Sequence, residues 1–221
     1  MAKFPEIQEI VREFPWSKEQ VALDSPIFLS PGRSFDEDWV DHLRLFHSTG
    51  IDGEVWLGRQ RDSGWPSKSI HFRHPADWLS EAEPIPYLPL TTPAFFAAGS
   101  YSRSNRNVIA RPFLVIEHDR LGHKESLALY RYLREVKQLN LRAIIDTAGK
   151  SLHAWFDQPS PTHLQELQPL LDAWGFDGQM KAASQPCRMA GAIRLKDYDD
   201  LTDEHWEDNF VGWQHLLFLN L

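Results

Sequence analysis

The stretch Ala143–Phe156, AIIDTAGKSLHAWF, governs how this chain is interpreted, because it contains Gly149-Lys150-Ser151, the letters that close a phosphate-binding P-loop. That motif also needs a glycine at position 144, where this chain has Ile144, and a helix after the serine whose N-terminus holds the phosphate. The residues after the lysine are instead Ser151-Leu152-His153-Ala154-Trp155-Phe156, which alternate as a strand does. Gly149-Lys150 therefore reads as a tight turn between two strands. Ser151 and His153 lie on one face of the second strand, since side chains alternate across a sheet.

On both sides of this hairpin, the pattern is regular from Arg111 on. RPFLVIEHD is an apolar run ending in acids, which suits a buried central strand. His123–Gln138 carries Leu127, Tyr130 and Leu133 at helical spacing. Leu141–Asp146 and Ser151–Phe156 are the hairpin strands, and Pro161–Trp174 is a second amphipathic helix. A last strand is expected in FVGWQHLLFL. The order β-α-β-β-α-β predicts an α+β fold with an RRM-like, split βαβ core. Residues 93–221 would form this core. Residues 1–92 would form an N-terminal α/β module packed against it, with a helix over Asp36–His47, a strand over Glu54–Gly58 and a short helix in PADWLSEA.

Composition narrows the function classes. A single cysteine, Cys187, excludes an internal disulfide framework and a multi-cysteine zinc site. No apolar stretch is long enough for a membrane span, so a soluble, cytoplasmic protein is expected. A net charge of −8 does not advertise a nucleic-acid binder. Yet GSYSRSNRNVIAR, with Arg103, Arg106 and Arg111, and Gly178–Lys196, with Lys181, Arg188, Arg194 and Lys196, contain no acid. Local basic patches are compatible with a nucleic-acid enzyme without requiring one.

Glu117 and Asp119 stand two apart at the end of the apolar strand, where both carboxylates share a face and His118 points away. Close carboxylates suit a divalent cation such as Mg²⁺ or Mn²⁺, and two such ions clamp the attacking and leaving oxygens of phosphoryl transfer. The alternative is a solvated strand end. Ser151, His153 and Lys150 offer a hydroxyl, an imidazole and an ammonium to phosphate oxygens, or simply a hairpin that faces water. Asp177 is either a third metal carboxylate or a helix cap. Arg188 and Arg194 can clamp phosphates or serve as surface charges.

In series, FLVIEHD, DTAGKSLHAWF, GFD and PCRMAGAIR resemble the archaeo-eukaryotic primase superfamily, in particular its bacterial, plasmid and phage primase-polymerase domains. The resemblance covers roughly residues 92–196. It implies Glu117, Asp119 and Asp177 as ligands of two Mg²⁺ or Mn²⁺ ions, and Lys150, Ser151, His153, Arg188 and Arg194 as nucleotide-binding residues. Arg103, Arg106 and Lys181 would contact nucleic acid. The first motif opens with Glu117 where the family more often has Asp, and Ala190 stands where proline is common. The implied activity is a DNA primase or primase-polymerase that uses NTPs or dNTPs on a single-stranded DNA template, with a helicase in trans or fused. Two other readings share the core. A relaxase-like nuclease would need a tyrosine such as Tyr130 or Tyr132. A non-catalytic single-stranded nucleic-acid-binding module would stack bases on Trp155 or Phe156.

Overall fold

The computed structural model describes residues 4–59, 68–81, 85–176, 178, 182–196 and 209–221. The N-terminal half contains α1 (Ile7–Glu13), α2 (Lys18–Leu23), α3 (Phe35–His47), β1 (Val55–Gly58), β2 (Phe72–Arg73), α4 (Pro75–Leu79), β3 (Leu90–Thr91), β4 (Phe95–Phe96) and β5 (Val108–Ala110). The rest contains β6 (Phe113–Ile116), α5 (His123–Glu135), β7 (Leu141–Asp146), β8 (Leu152–Asp157), α6 (Pro161–Trp174), β9 (Cys187–Arg188), β10 (Ile193–Leu195), β11 (Phe210–Trp213) and β12 (His215–Leu219). Local chemistry sets the ends of the long helices. Ser34 and Glu37 form a capping box on α3. Ser160 caps α6, Pro161 opens it, and Gly175 closes it in the left-handed region with φ 74°.

The main sheet is antiparallel with strand order β12-β7-β8-β6. Helix α5 links β6 to β7, with β8 lying between them, so the expected split βαβ unit and the β7–β8 hairpin at the sheet centre are both present. The last strand departs from the RRM arrangement, which puts it beside the first strand. Here β12 pairs with β7, on the edge away from β6. The reason lies at Gln214. FVGWQHLLFL is two strands in two sheets, and the fully buried Gln214 between them donates its amide to Pro89 O and Met189 O. This residue hands the chain from β11 to the β7 edge. There Ser25 and Arg142 tie down the carbonyls of Leu219 and Asn220.

Both faces of the sheet are covered. Leu114, Ile116, Ile144, Ala154 and Phe156 pack with α5, α6 and the short α1 and α2, helices not expected from the sequence. Phe113, Val115, Ala143, Ile145 and Trp155 face Trp39, Leu43 and Phe46 of α3 and Val55 and Leu57 of β1. The N-terminal segment thus shares a core with the main sheet. A second, smaller antiparallel sheet runs β2-β1-β3-β9. Trp155 and Phe156 are both completely buried, one in each core, so neither can stack a base as an RRM sheet does. Among the described residues no helix is long and apolar enough to cross a membrane.

Candidate functional site

Strand β6 stops at Ile116, one residue before the acidic pair. His118 turns toward the α6 side of the sheet. Its Nε2 meets Trp174 O at 2.9 Å, and its Nδ1 accepts the amides of Arg120 and Leu121. Glu117 turns the other way and its carboxylate contacts Nε2 of His153, both side chains being nearly buried. Nδ1 of His153 accepts the Arg188 N–H at 3.2 Å, so the ring proton sits on Nε2, facing Glu117. With both nitrogens engaged, His153 orients a carboxylate more directly than it offers itself to a phosphate.

Asp119 is exposed on the wall of a cleft of about 480 Å³, shared with Gly149, Lys150, Ser151, Arg194, Lys196, Leu195 and Val211. The turn at its edge is wider than the sequence predicts. Asp146 pairs with Leu152, leaving a five-residue loop, Thr147–Ser151. The left-handed residue is Ala148, with φ 55°, not Gly149. Thr147 Oγ1 donates to Ser151 O at 2.7 Å, and Asp146 accepts the Ala148 amide while pairing with Lys18 at 2.6 Å. Gly149 has another role. The guanidinium of Arg194 lies where its Cβ would be, and Nη1 reaches Thr147 O at 3.2 Å. Gly149→Ala is therefore expected to displace Arg194 while the fold persists, because only the end of a flexible side chain must move. Were the cleft to take a nucleoside triphosphate with Mn²⁺, isothermal titration would show binding weakened about tenfold, the loss of one charge-assisted contact.

A second cleft of about 460 Å³ lies on the other side of Asp119, lined by His118, Arg120, Ala173, Trp174, Gly175, Phe176 and Gly178. Arg188 is on β9, and the guanidinium of Arg103 stacks over Trp56 at 4.3 Å. Arg106 is exposed in the turn before β5. Asp177 and Lys181 lie outside the described residues. Tyr130 is fully buried, its hydroxyl donating to Leu152 O at 2.6 Å, and burial pushes its pKa up. The Tyr130 hydroxyl is therefore not placed to attack a phosphodiester. Tyr132 packs against Phe14 and Trp174.

Sequence reasoning gave no site role to three neighbours. His42, from α3, is fully buried, and burial followed by the nearby His153 pushes its pKa down to about 3. Cys187 is buried, and burial pushes its thiol pKa up. Arg111 donates Nε–H to Phe113 O at the start of β6. Charge pattern alone flagged Arg111, and nothing in the local sequence flagged His42.

Among the described residues no three His, Cys, Asp or Glu side chains converge to hold a metal unaided. The donor set nonetheless fits Mg²⁺ or Mn²⁺, which proteins commonly bind through one or two carboxylates with substrate phosphates completing the shell. Glu117 and Asp119 would supply the carboxylates, and the cations beside Asp119 would suit the phosphates. Set against family models, curated proteins and solved structures, the chain matches none.

Proposed function

We propose that the chain is a metal-dependent nucleotidyltransferase, a primase-polymerase acting in the cytoplasm on single-stranded DNA. The observation that carries this reading is one cleft in which the Asp119 carboxylate stands with Lys150, Ser151, Arg194 and Lys196, next to the Glu117–His153 pair. Three cations and a hydroxyl favour a polyphosphate. A carboxylate among them would repel that polyphosphate unless a divalent cation bridges the two. The resemblance to primase-polymerase domains points the same way.

In this reading Glu117 and Asp119 hold Mg²⁺ or Mn²⁺, with Asp177 as the third ligand. A bound metal would supply charge neutralisation at the α-phosphate and activation of the attacking hydroxyl. Lys150, Ser151, Arg194 and Lys196 orient the triphosphate of an NTP or dNTP, and Arg188 adds a guanidinium. His153 keeps the Glu117 carboxylate turned toward the strand end. The primer 3′-oxygen bonds to the α-phosphorus as the bond to pyrophosphate breaks, and the hydroxyl proton leaves to solvent. Arg103, Arg106 and Lys181 contact the template, and a helicase in trans or fused would open the duplex.

Primer synthesis and extension on single-stranded DNA with Mn²⁺ or Mg²⁺ tests this directly. Wild type should extend primers and Asp119→Ala should not. Equal activity, or equal inertness, in the two proteins defeats the proposal. Template binding without synthesis would instead favour a non-catalytic binding module.

A further inference from the structure

Among the described residues strand β9 is the outer strand of the small sheet, so one side of its backbone has no strand partner there. Toward β3, Met189 N–H donates to Pro89 O at 3.0 Å. The alternate amides face away from β3, and an unmet buried N–H there would cost stability. Two imidazoles from different elements take them. His153 of β8 accepts from Arg188 N–H at 3.2 Å, and His42 of α3 accepts from Ala190 N–H at 3.1 Å. These rings stand in for a neighbouring strand, splicing the small sheet to the main sheet beside the acidic strand end.

The two histidines are not equivalent. His153 passes its other nitrogen to Glu117, whereas Nε2 of His42 is buried without a hydrogen-bond partner among the described residues. Leaving a buried ring N–H unmet is unfavourable, and nothing else about this position requires an imidazole. His42 is held edge-on to Trp155, with ring centroids 4.7 Å apart, so a leucine or phenylalanine would fill the same space without the unmet donor. What those residues lack is an acceptor for Ala190. The depressed pKa of His42 keeps that acceptor free of a proton across the working pH range.

We propose that His42 is a positioning residue, which with His153 clamps the free side of β9 and thereby fixes Arg188 for nucleotide binding. The proposal rests on the reading of Arg188 as a nucleotide-binding residue. His42 touches neither substrate nor metal and acts only through the Arg188–Ala190 backbone.

The test compares His42→Leu, which keeps volume and removes the acceptor, with His42→Asn, whose amide oxygen stands near the lost Nδ1. Amide exchange by NMR and primer-extension kinetics with Mn²⁺ are read on the full chain. In His42→Leu the Ala190 amide should exchange about tenfold faster, as expected for one lost buried hydrogen bond. KM for the nucleotide should rise about tenfold with kcat little changed. Adding Arg188→Ala to His42→Leu should raise KM no further than Arg188→Ala alone, and His42→Asn should restore most of both signals. Unchanged Ala190 exchange in His42→Leu, or KM effects that add in full, would overturn the clamp. If wild type synthesises and His42→Leu keeps the wild-type KM, the clamp fails and the enzyme reading stands. Wild type that neither synthesises nor binds nucleotide overturns both.

Discussion

Glu117→Gln is expected to keep the fold and lose the proposed primer extension. The amide oxygen of glutamine still accepts the Nε2–H of His153, so the buried imidazole keeps its partner. Melting should stay within a few degrees of wild type, since the packing around residue 117 is unchanged. The charge is gone, however, and a neutral amide is a poor ligand for a hard divalent cation. Losing about 4 kcal/mol of transition-state stabilisation corresponds to roughly a thousandfold in rate. Glu117→Ala should lose as much activity and stability as well. It leaves the nearly buried His153 donor unmet, at a cost of about 1–3 kcal/mol, or roughly 2–4 °C in Tm per kcal/mol for a chain of this size. Primer-extension rates beside thermal melts separate the two variants. If Glu117→Gln extends primers at the wild-type rate, Glu117 is only a structural partner of His153.

Gly191→Ala should be the most damaging single change to the fold. Gly191 has φ 76°, in the left-handed region, and the place of a Cβ is already filled by Phe35 O and by the backbone and Cβ of Trp39 at the start of α3. Backbone at a capped helix N-terminus cannot swing aside as a side chain can. Gly32 is the control, because it has nearly the same φ, 75°, with open space around it. Gly32→Ala should cost only the left-handed strain, about 1 kcal/mol, whereas Gly191→Ala should cost about 4 kcal/mol. Chemical denaturation of both variants measures the difference. Equal costs would show that the approach of α3 to Gly191 contributes nothing. The loss should also reach the site, since Ala190 N–H is held by His42 and Gly191 N–H by Gln214 O.

Much of the α+β order is legible along the chain. The helix Pro161–Trp174 and the strand Leu141–Asp146 end where their patterns end, because serine, proline and glycine punctuate them and the apolar periods are unbroken. The two sides of the acidic strand end are readable too. His118 and Glu117 point to opposite faces, as neighbours on an extended chain must. Other features leave no local trace. Helices α1 and α2 span seven and six residues, too few turns for a periodic signal. The five-residue hairpin loop is closed by Thr147 and Asp146, and its left-handed residue is an alanine.

Alternation and punctuation along one dimension are therefore enough for the longer helices and the strands of the main sheet, and for naming candidate residues at the acidic strand end. They act over a few neighbouring residues and are written in composition. Where β12 attaches, what His153 touches and why His42 is a histidine all depend on contacts between residues far apart in the chain. Gln214 meets Pro89 across 125 positions, His42 meets Ala190 across 148, and Arg188 meets His153 across 35. Such contacts are chosen by which buried polar groups can satisfy one another once the two cores have closed. No stretch of neighbouring residues encodes that choice.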